Sequence, residues 1–424
     1  MFVYPSAPET NEHCKQYVIV LKPPVKLFGA SIILLCFTLY LQLLNQLSEN
    51  TLIMIKNFAC TSIVLLTGAA ILFTSCQNSE TNTQTSSDST ETAATDTSKK
   101  PEPISQPLVS DIYTADPSAH VFEGKIYIYP SHDYEAGIPQ DDKGSHFAMK
   151  DFHVFSMDSI GGKVTDHGVA LDIKAIPWAG RQLWAPDAAF ANGKYYLYFP
   201  VKDKQDIFRI GVATSTIPAG PFKAEPKPIE GSYSIDPTVF KDDNGRFYMY
   251  FGGIWGGQLQ RWQSGKYDST AKEEPGGDTL ALTAKVARLN NNMLQFDEKP
   301  RNVVILDKDG KAIKASDHDK RFFEASWMHK YNGKYYFSYS TGDTHFINYA
   351  IGDNPYGPFT YQGVILNPVE GWTNHHSIME SKGKWYLFYH DVQLSGKTHL
   401  RNIKVTELKY RPDGTIETID PYKK

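Results

Sequence analysis

Asn192-Gly193-Lys194-Tyr195-Tyr196 is a turn followed by a strand, and it is not alone. The same phrase returns as Glu123-Gly124-Lys125-Ile126-Tyr127, Asn244-Gly245-Arg246-Phe247-Tyr248, Asn332-Gly333-Lys334-Tyr335-Tyr336 and Lys382-Gly383-Lys384-Trp385-Tyr386. In each, a glycine turn with Asn, Glu or Lys before it opens an alternation of aromatic and apolar residues at period two, which is the signature of a β-hairpin. Ahead of the turns stand Ala115-Asp116-Pro117, Trp184-Ala185-Pro186-Asp187, Ile235-Asp236-Pro237, Phe323-Glu324-Ala325 and Asn374-His375-His376-Ser377, so each repeat delivers a polar group at one equivalent place. The copies are roughly 50 to 90 residues apart, the length of a four-stranded blade with variable loops. The pattern predicts an all-β, five-bladed β-propeller that gathers carboxylates around one axis.

Other segments agree. Val121–Tyr129, Tyr195–Phe199, Arg209–Thr214, Phe247–Phe251, Tyr335–Tyr339, Phe346–Ile351 and Trp385–Tyr389 are rich in aromatic and β-branched residues and read as strands. Ile217-Pro218-Ala219-Gly220-Pro221-Phe222 and Asn354-Pro355-Tyr356-Gly357-Pro358-Phe359 mark a shared turn before an outer strand in two repeats. Leu400–Ile419, with a turn at Arg411-Pro412-Asp413-Gly414, supplies material to complete the fifth blade. No stretch of this region has a helical period.

The 424 residues divide unevenly. All four cysteines, Cys14, Cys36, Cys60 and Cys76, lie in the first fifth, which leaves the propeller without disulfides or thiolate metal sites. Residues 1–76 read as an upstream extension and signal segment. Met54-Ile55-Lys56 opens a basic region, Ser62–Phe73 is an apolar core of signal length, and Phe73-Thr74-Ser75-Cys76 resembles a bacterial lipoprotein box, although Phe73 and Thr74 depart from the usual pattern. Met54 is an alternative start to Met1. The apolar run Leu27–Leu44 reads as over-extended translation, with a spanning helix as the alternative. Residues 77–108 are a polar, Ser/Thr-rich linker too poor in apolar residues to fold, and 109–421 form the propeller. The expected location is the bacterial cell envelope, as a periplasmic or surface lipoprotein tethered through Cys76, with secretion as the alternative. A net charge of −4 with no basic footprint argues against nucleic acid as a partner.

The ordered set Ala-Asp-Pro at 115–117, Trp-Ala-Pro-Asp at 184–187, Ile-Asp-Pro at 235–237 and Glu324-Ala325-Ser326 resembles glycoside hydrolase family 43, of β-xylosidase and α-L-arabinofuranosidase type, over about 109–421. The resemblance implies that Asp116 is the general base, Glu324 the general acid, and Asp236 the residue that tunes and orients the acid. Elementary chemistry agrees with that division. Inversion through an oxocarbenium-like state needs an acid beside the leaving oxygen and a carboxylate across the ring holding water, about 6.5–9.5 Å away. A further carboxylate near the acid raises its pKa by like-charge repulsion. Pro117 and Pro237 are expected to hold the preceding aspartates extended.

Further candidates follow from the same resemblance. Trp184 either stacks on a sugar or plugs a blade core, and Asp187 either supports the blades or joins the chemistry. Arg401 reaches toward the first sugar subsite or is a strand-surface charge. His132, with Asp133 beside it, forms a pocket wall or a turn, and Trp255 stands at the pocket rim or in an acceptor subsite. Of His375 and His376 only one can face the axis; the resemblance puts His375 there, reaching a Ca2+ ion or a water cluster in the central channel. No organic cofactor is implied. The expected function is an inverting, exo-acting hydrolase that removes terminal β-D-xylosyl or α-L-arabinofuranosyl units from hemicellulose fragments. The alternatives are a non-catalytic glycan-binding lipoprotein, an arabinan-degrading propeller hydrolase, or a retaining propeller enzyme of fructosyl bonds.

Overall fold

The computed structural model describes residues 102–423, Lys272 excepted. The expected signal segment, Cys76 and most of the linker lie outside the described residues. Within them the chain forms five antiparallel sheets in sequence order. Blade one is Tyr113–Phe122, Lys125–Asp133, Asp151–Met157 and Thr165–Asp172. In blade two, Ala179–Leu183 and Asp187–Ala191 both pair with Lys194–Asp203, which is followed by Phe208–Ser215 and Lys223–Ala224. Blade three runs Thr238–Lys241, Phe247–Phe251, Lys285–Arg288, Arg301–Asn302. Blade four runs Glu324–Tyr331, Lys334–Ser340, Ile347–Gly352, Phe359–Leu366, with Ile305–Leu306 added in parallel at its edge. Blade five has three strands, His376–Ser381, Lys384–Asp391 and Asn402–Leu408.

The period-two pattern explains the ring. Blade-two residues Tyr195, Leu197 and Phe199 pack with Tyr129 and Phe152 of blade one. The alternating Tyr196 and Tyr198 point the other way, against Met249 and Phe251 of blade three. Tyr250 meets Phe337 between blades three and four, and Tyr336 meets Leu387 between four and five. Phe388 and Ile403 of blade five pack against Ile128 and Phe155 of blade one. Successive side chains of a strand face opposite sides, so a blade buried on both sides needs apolar residues at every position. Each large side chain buried this way contributes about 1.5–3 kcal/mol, and the stability is spread over five seams.

Four of the five hairpins turn on two residues with positive φ: Glu123-Gly124 (51°, 78°), Asn192-Gly193 (52°, 71°), Asn332-Gly333 (47°, 76°) and Lys382-Gly383 (53°, 78°). This is the turn whose twist matches the strands it joins. The strand expected over 121–129 is therefore two strands, closed by the pair Phe122 and Lys125. The third hairpin is longer, pairing Lys241 with Phe247, and there only Gly245 has positive φ.

The ring closes without a strand shared between its ends. Thr114 N donates to Arg401 O and Leu108 N to Ile403 O, each at 2.9 Å. Pro103 bridges to Tyr422, and Ile104 N donates to Pro421 O at 2.9 Å, so ordered chain begins several residues ahead of 109. Leu108 and Val109 are packed into the seam between blades five and one, which explains why this stretch joins the domain rather than the linker.

Candidate active site

The first strands of neighbouring blades contact one another and form the inner wall of the ring. Asp116 lies inside the first of these, Asp236 two residues before Thr238–Lys241, and Glu324 at the head of Glu324–Tyr331. Their backbone is irregular. Asp116 and Asp236 have φ of 50° and 55°, and Ala325 has 61°, in a region that costs an L-residue about 1–2 kcal/mol. The expectation that the following prolines hold these aspartates extended is thus overturned. At Asp116 and at Glu324-Ala325, register shifts between Ala115 and Ser118 and between Glu324 and Trp327 show the reason: a bulge re-aims the side chain away from the regular pleat. Local strain of this kind is offset by what the aimed groups bind.

Asp116 is buried and held by an extensive network. Its Oδ2 accepts from Ser131 Oγ at 2.7 Å, its Oδ1 accepts from Arg401 Nη1 at 2.9 Å, and its backbone N donates to His390 Nδ1 at 3.1 Å. Burial alone would raise its pKa, but Arg401, with His390, His375 and Ser131, outweighs that and holds it at about 2. Burial pushes both imidazoles down, to about 4 for His375 and about 3 for His390. They are neutral near pH 7, so the cation beside Asp116 is Arg401.

Glu324 is in the opposite condition. Burial, reinforced by the Asp116 charge, pushes it up to about 8, against the pull of Arg401. It is only half-buried by surface, because it faces the pocket. Asp236 is raised well above the carboxylate range by burial, then by Glu324 and Asp116. Its Oδ2 accepts from Ala325 N at 2.8 Å, which fixes the backbone next to Glu324. His375 Nδ1 lies 3.6 Å from Asp116 Oδ1 and 3.8 Å from Asp236 Oδ2, and so stands between the two carboxyl groups.

These groups line one pocket enclosing about 770 Å³, its open mouth included, together with Trp184, Trp255 and Arg401. Arg401 is buried at its foot, donating through Nε and Nη2 to Asp133 at 2.8 and 2.7 Å, with its guanidinium 4.8 Å above the Phe147 ring. That answers the strand-surface alternative: the charge is interior and bonded to two carboxylates. Trp184 is 8% exposed and donates Nε1 to Phe147 O at 2.7 Å, serving as wall and packing at once. Gly144 closes that wall, because with φ of 66° a Cβ there would come 2.7 Å from Trp184. Trp255 forms an aromatic rim with Phe323 and Trp372, ring centroids 5.2 and 5.6 Å away.

Two expected groups are elsewhere. His132 does not line the pocket; it pairs with Asp151 at 2.6 Å, because adjacent strand residues point to opposite faces and Asp133 takes the inner one. Asp133 is spent on Arg401 and leaves no free oxygen aimed at a sugar. Asp187 is also outside the pocket. It accepts from Ser118 Oγ, bonds His120 Nε2 at 2.7 Å and accepts from Val239 N at 2.5 Å, tying the inner strands of blades one, two and three. His376 turns from the pocket to Ser338 Oγ at 2.7 Å. His390, Thr373, Phe147 and Trp372 were not anticipated. For His390 a signal exists: Tyr389-His390-Asp391 ends a strand of blade five as Ser131-His132-Asp133 ends one of blade one.

An ionised carboxylate and a protonated carboxyl facing one pocket of a five-bladed propeller define a glycoside hydrolase. The chain belongs to the glycosyl hydrolases family 43, whose pattern matches residues 104–416. It is 62% identical over 315 residues to a xylosidase/arabinosidase of Bacteroides ovatus, covering 74% of this chain and 97% of that protein. Among solved structures it resembles a family 43 β-xylosidase/α-arabinofuranosidase from a compost microbial metagenome, in complex with xylotriose and in calcium-free form. That match has TM-score 0.75 and 67% identity, and covers 77% of this chain and 100% of the other. A family 43 enzyme from Xanthomonas citri complexed with xylotriose follows at TM-score 0.73 and 56% identity, covering 76% and 95%.

Proposed function

We propose that this glycosidase removes terminal β-D-xylosyl or α-L-arabinofuranosyl units from hemicellulose-derived oligosaccharides, with inversion. The observation that carries the reading is the divergence of two carboxyl groups in one pocket, Asp116 held near 2 and Glu324 pushed up to about 8. Asp116 takes a proton from the attacking water while Glu324 gives its proton to the leaving oxygen. Burial and the Asp116 charge raise the acid's pKa, while Asp236, accepting from Ala325 N, fixes the acid's position. The Trp255, Trp372 and Phe323 rim offers apolar faces to further sugar rings. The names of the relatives and the xylotriose bound to two of the similar structures support a pentosidase. A binding protein would need no such divergence of acid and base.

The test is the anomeric form of the first-formed product, read by NMR on xylobiose and on an arabinofuranosyl oligosaccharide. Inversion on either supports the reading; retention, or no turnover, overturns it. We further propose the Ca2+ expected near His375. His375 is the one protein ligand it would have apart from carboxylates already held by Arg401 and Ala325, so the ion would be mostly hydrated. It would supply positive charge beneath the sugar. Attachment to the envelope through Cys76 is likewise proposed, supported by the lipoprotein-like box, and the mass of the mature N-terminal peptide tests it.

A further inference from the structure

His132, relieved of any place in the pocket, stands in a cluster of its own. Its Nδ1 is 2.6 Å from Asp151 Oδ1, and its ring centroid is 4.8 Å from that of His153. The ligand atoms of His132, Asp151 and His153 all lie within 4.8 Å of one another. His153 Nδ1 lies 3.0 Å from both oxygens of Asp166, so its Nε2 is left for another partner. Asp166 is itself fixed, Oδ1 accepting from Gly168 N at 2.7 Å. All four residues come from adjoining strands of blade one, and none lines the catalytic pocket.

We propose that His132, Asp151 and His153, braced by Asp166, bind a divalent transition-metal ion of zinc type. Two imidazoles and one carboxylate with an open fourth position suit zinc, cobalt or nickel, whereas calcium and magnesium prefer oxygen shells. A carboxylate holding the far nitrogen of a ligating imidazole is the usual second support of such sites. The ion replaces the proton shared by His132 and Asp151, so binding releases a proton and weakens as pH falls. Accessibility favours this use over a purely structural ion pair: side-chain exposure is 22% for His132, 23% for Asp151 and 15% for His153, enough to admit an ion to groups already held on rigid strands. Bound there, the ion clips the second and third strands of blade one together, with Asp166 bracing it from the fourth.

The experiment uses the tag-free protein stripped with chelator and titrated with Co2+, followed by visible absorption and by the melting midpoint. One Co2+ per chain, with the strong visible bands of a four-coordinate site and a raised melting point, is expected, and Zn2+ should bleach the bands. Asp151→Asn and His153→Ala should each weaken binding by about tenfold or more, and Asp166→Asn by about tenfold. His375→Ala should leave the signal in place, which separates this site from any ion in the channel. Turnover should be unchanged in the His153 and Asp166 variants. Silence of the wild-type titration, or a signal that survives His153→Ala in folded protein, overturns the proposal.

Discussion

Asp116 and Glu324 face one pocket beside one guanidinium, yet they diverge: Arg401 bonds Asp116 and holds it low, whereas burial and the Asp116 charge push Glu324 up. Activity needs Asp116 ionised and Glu324 protonated, so kcat/KM should be flat through neutral pH and fall tenfold per unit above about 8. An alkaline limb near 5 would sink that allocation. Arg401→Lys keeps a cation but loses the fork shared between Asp133 and Asp116; the acid limb should move to higher pH, seen as a lower ratio of kcat/KM at pH 4 to that at pH 7. Removing the acid in Glu324→Gln should lower turnover of substrates with poor leaving groups by about 10²–10⁴-fold, while activated nitrophenyl pentosides lose far less.

The same groups bear on stability with opposite signs. Asp116, depressed on folding, stabilises the protein above its unfolded pKa near 3.8, and that contribution is lost as pH falls through about 2. Glu324, raised on folding, costs stability as pH rises above 4.5 toward 8, because the unfolded chain then releases a proton the folded one keeps. Glu324→Gln should therefore melt higher than wild type at pH 7, by roughly 1–3 kcal/mol in stability. At pH 4 the difference should vanish, and an equal gain at both values would show that charge is not the cause.

At the scale of elements, the hairpins are the most legible feature, because a turn requiring positive φ restricts its residues locally. Lys382 occupies that conformation at 53°, and its side chain makes only an exposed bond, Nζ donating to Asp158 O at 3.2 Å. Asn tolerates the left-handed region better, so Lys382→Asn should stabilise the fifth hairpin by about 0.5 kcal/mol, measurable by denaturant midpoint. Asp116, Asp236 and Glu324 were legible for a related reason: each stands eight or nine residues before the glycine of a hairpin turn. What could not be read was partnership across the chain. Asp133 and Arg401 are 268 residues apart, and nothing local in either says that one consumes the other. The left-handed backbone of Asp116 and Asp236 was misread because the proline rule describes a free dipeptide, whereas here a bulge at Asp116 and the bonds of both aimed carboxylates decide. Asp187 resembles its catalytic counterparts in phrase, and only its bonds to Ser118, His120 and Val239 assign it to holding the blades together.

For the whole molecule, five apolar seams make one cooperative ring, and the last is closed by backbone bonds from Leu108 and Thr114 to blade five. Removing residues 1–101 should leave kcat/KM and the melting point nearly unchanged. Removing residues through 113 should prevent folding, since it strips Leu108 and Val109 from the seam. Arg401 stands at that seam: its carbonyl oxygen accepts from Thr114 and its guanidinium holds Asp116. During synthesis Asp116, Asp236 and Glu324 all leave the ribosome before Arg401 does. A nascent chain four blades long therefore holds all three proposed reacting groups without the guanidinium that bonds Asp116. The pocket that pairs Asp116 with its cation is complete, on the proposed reading, only when the last blade to be made meets the first.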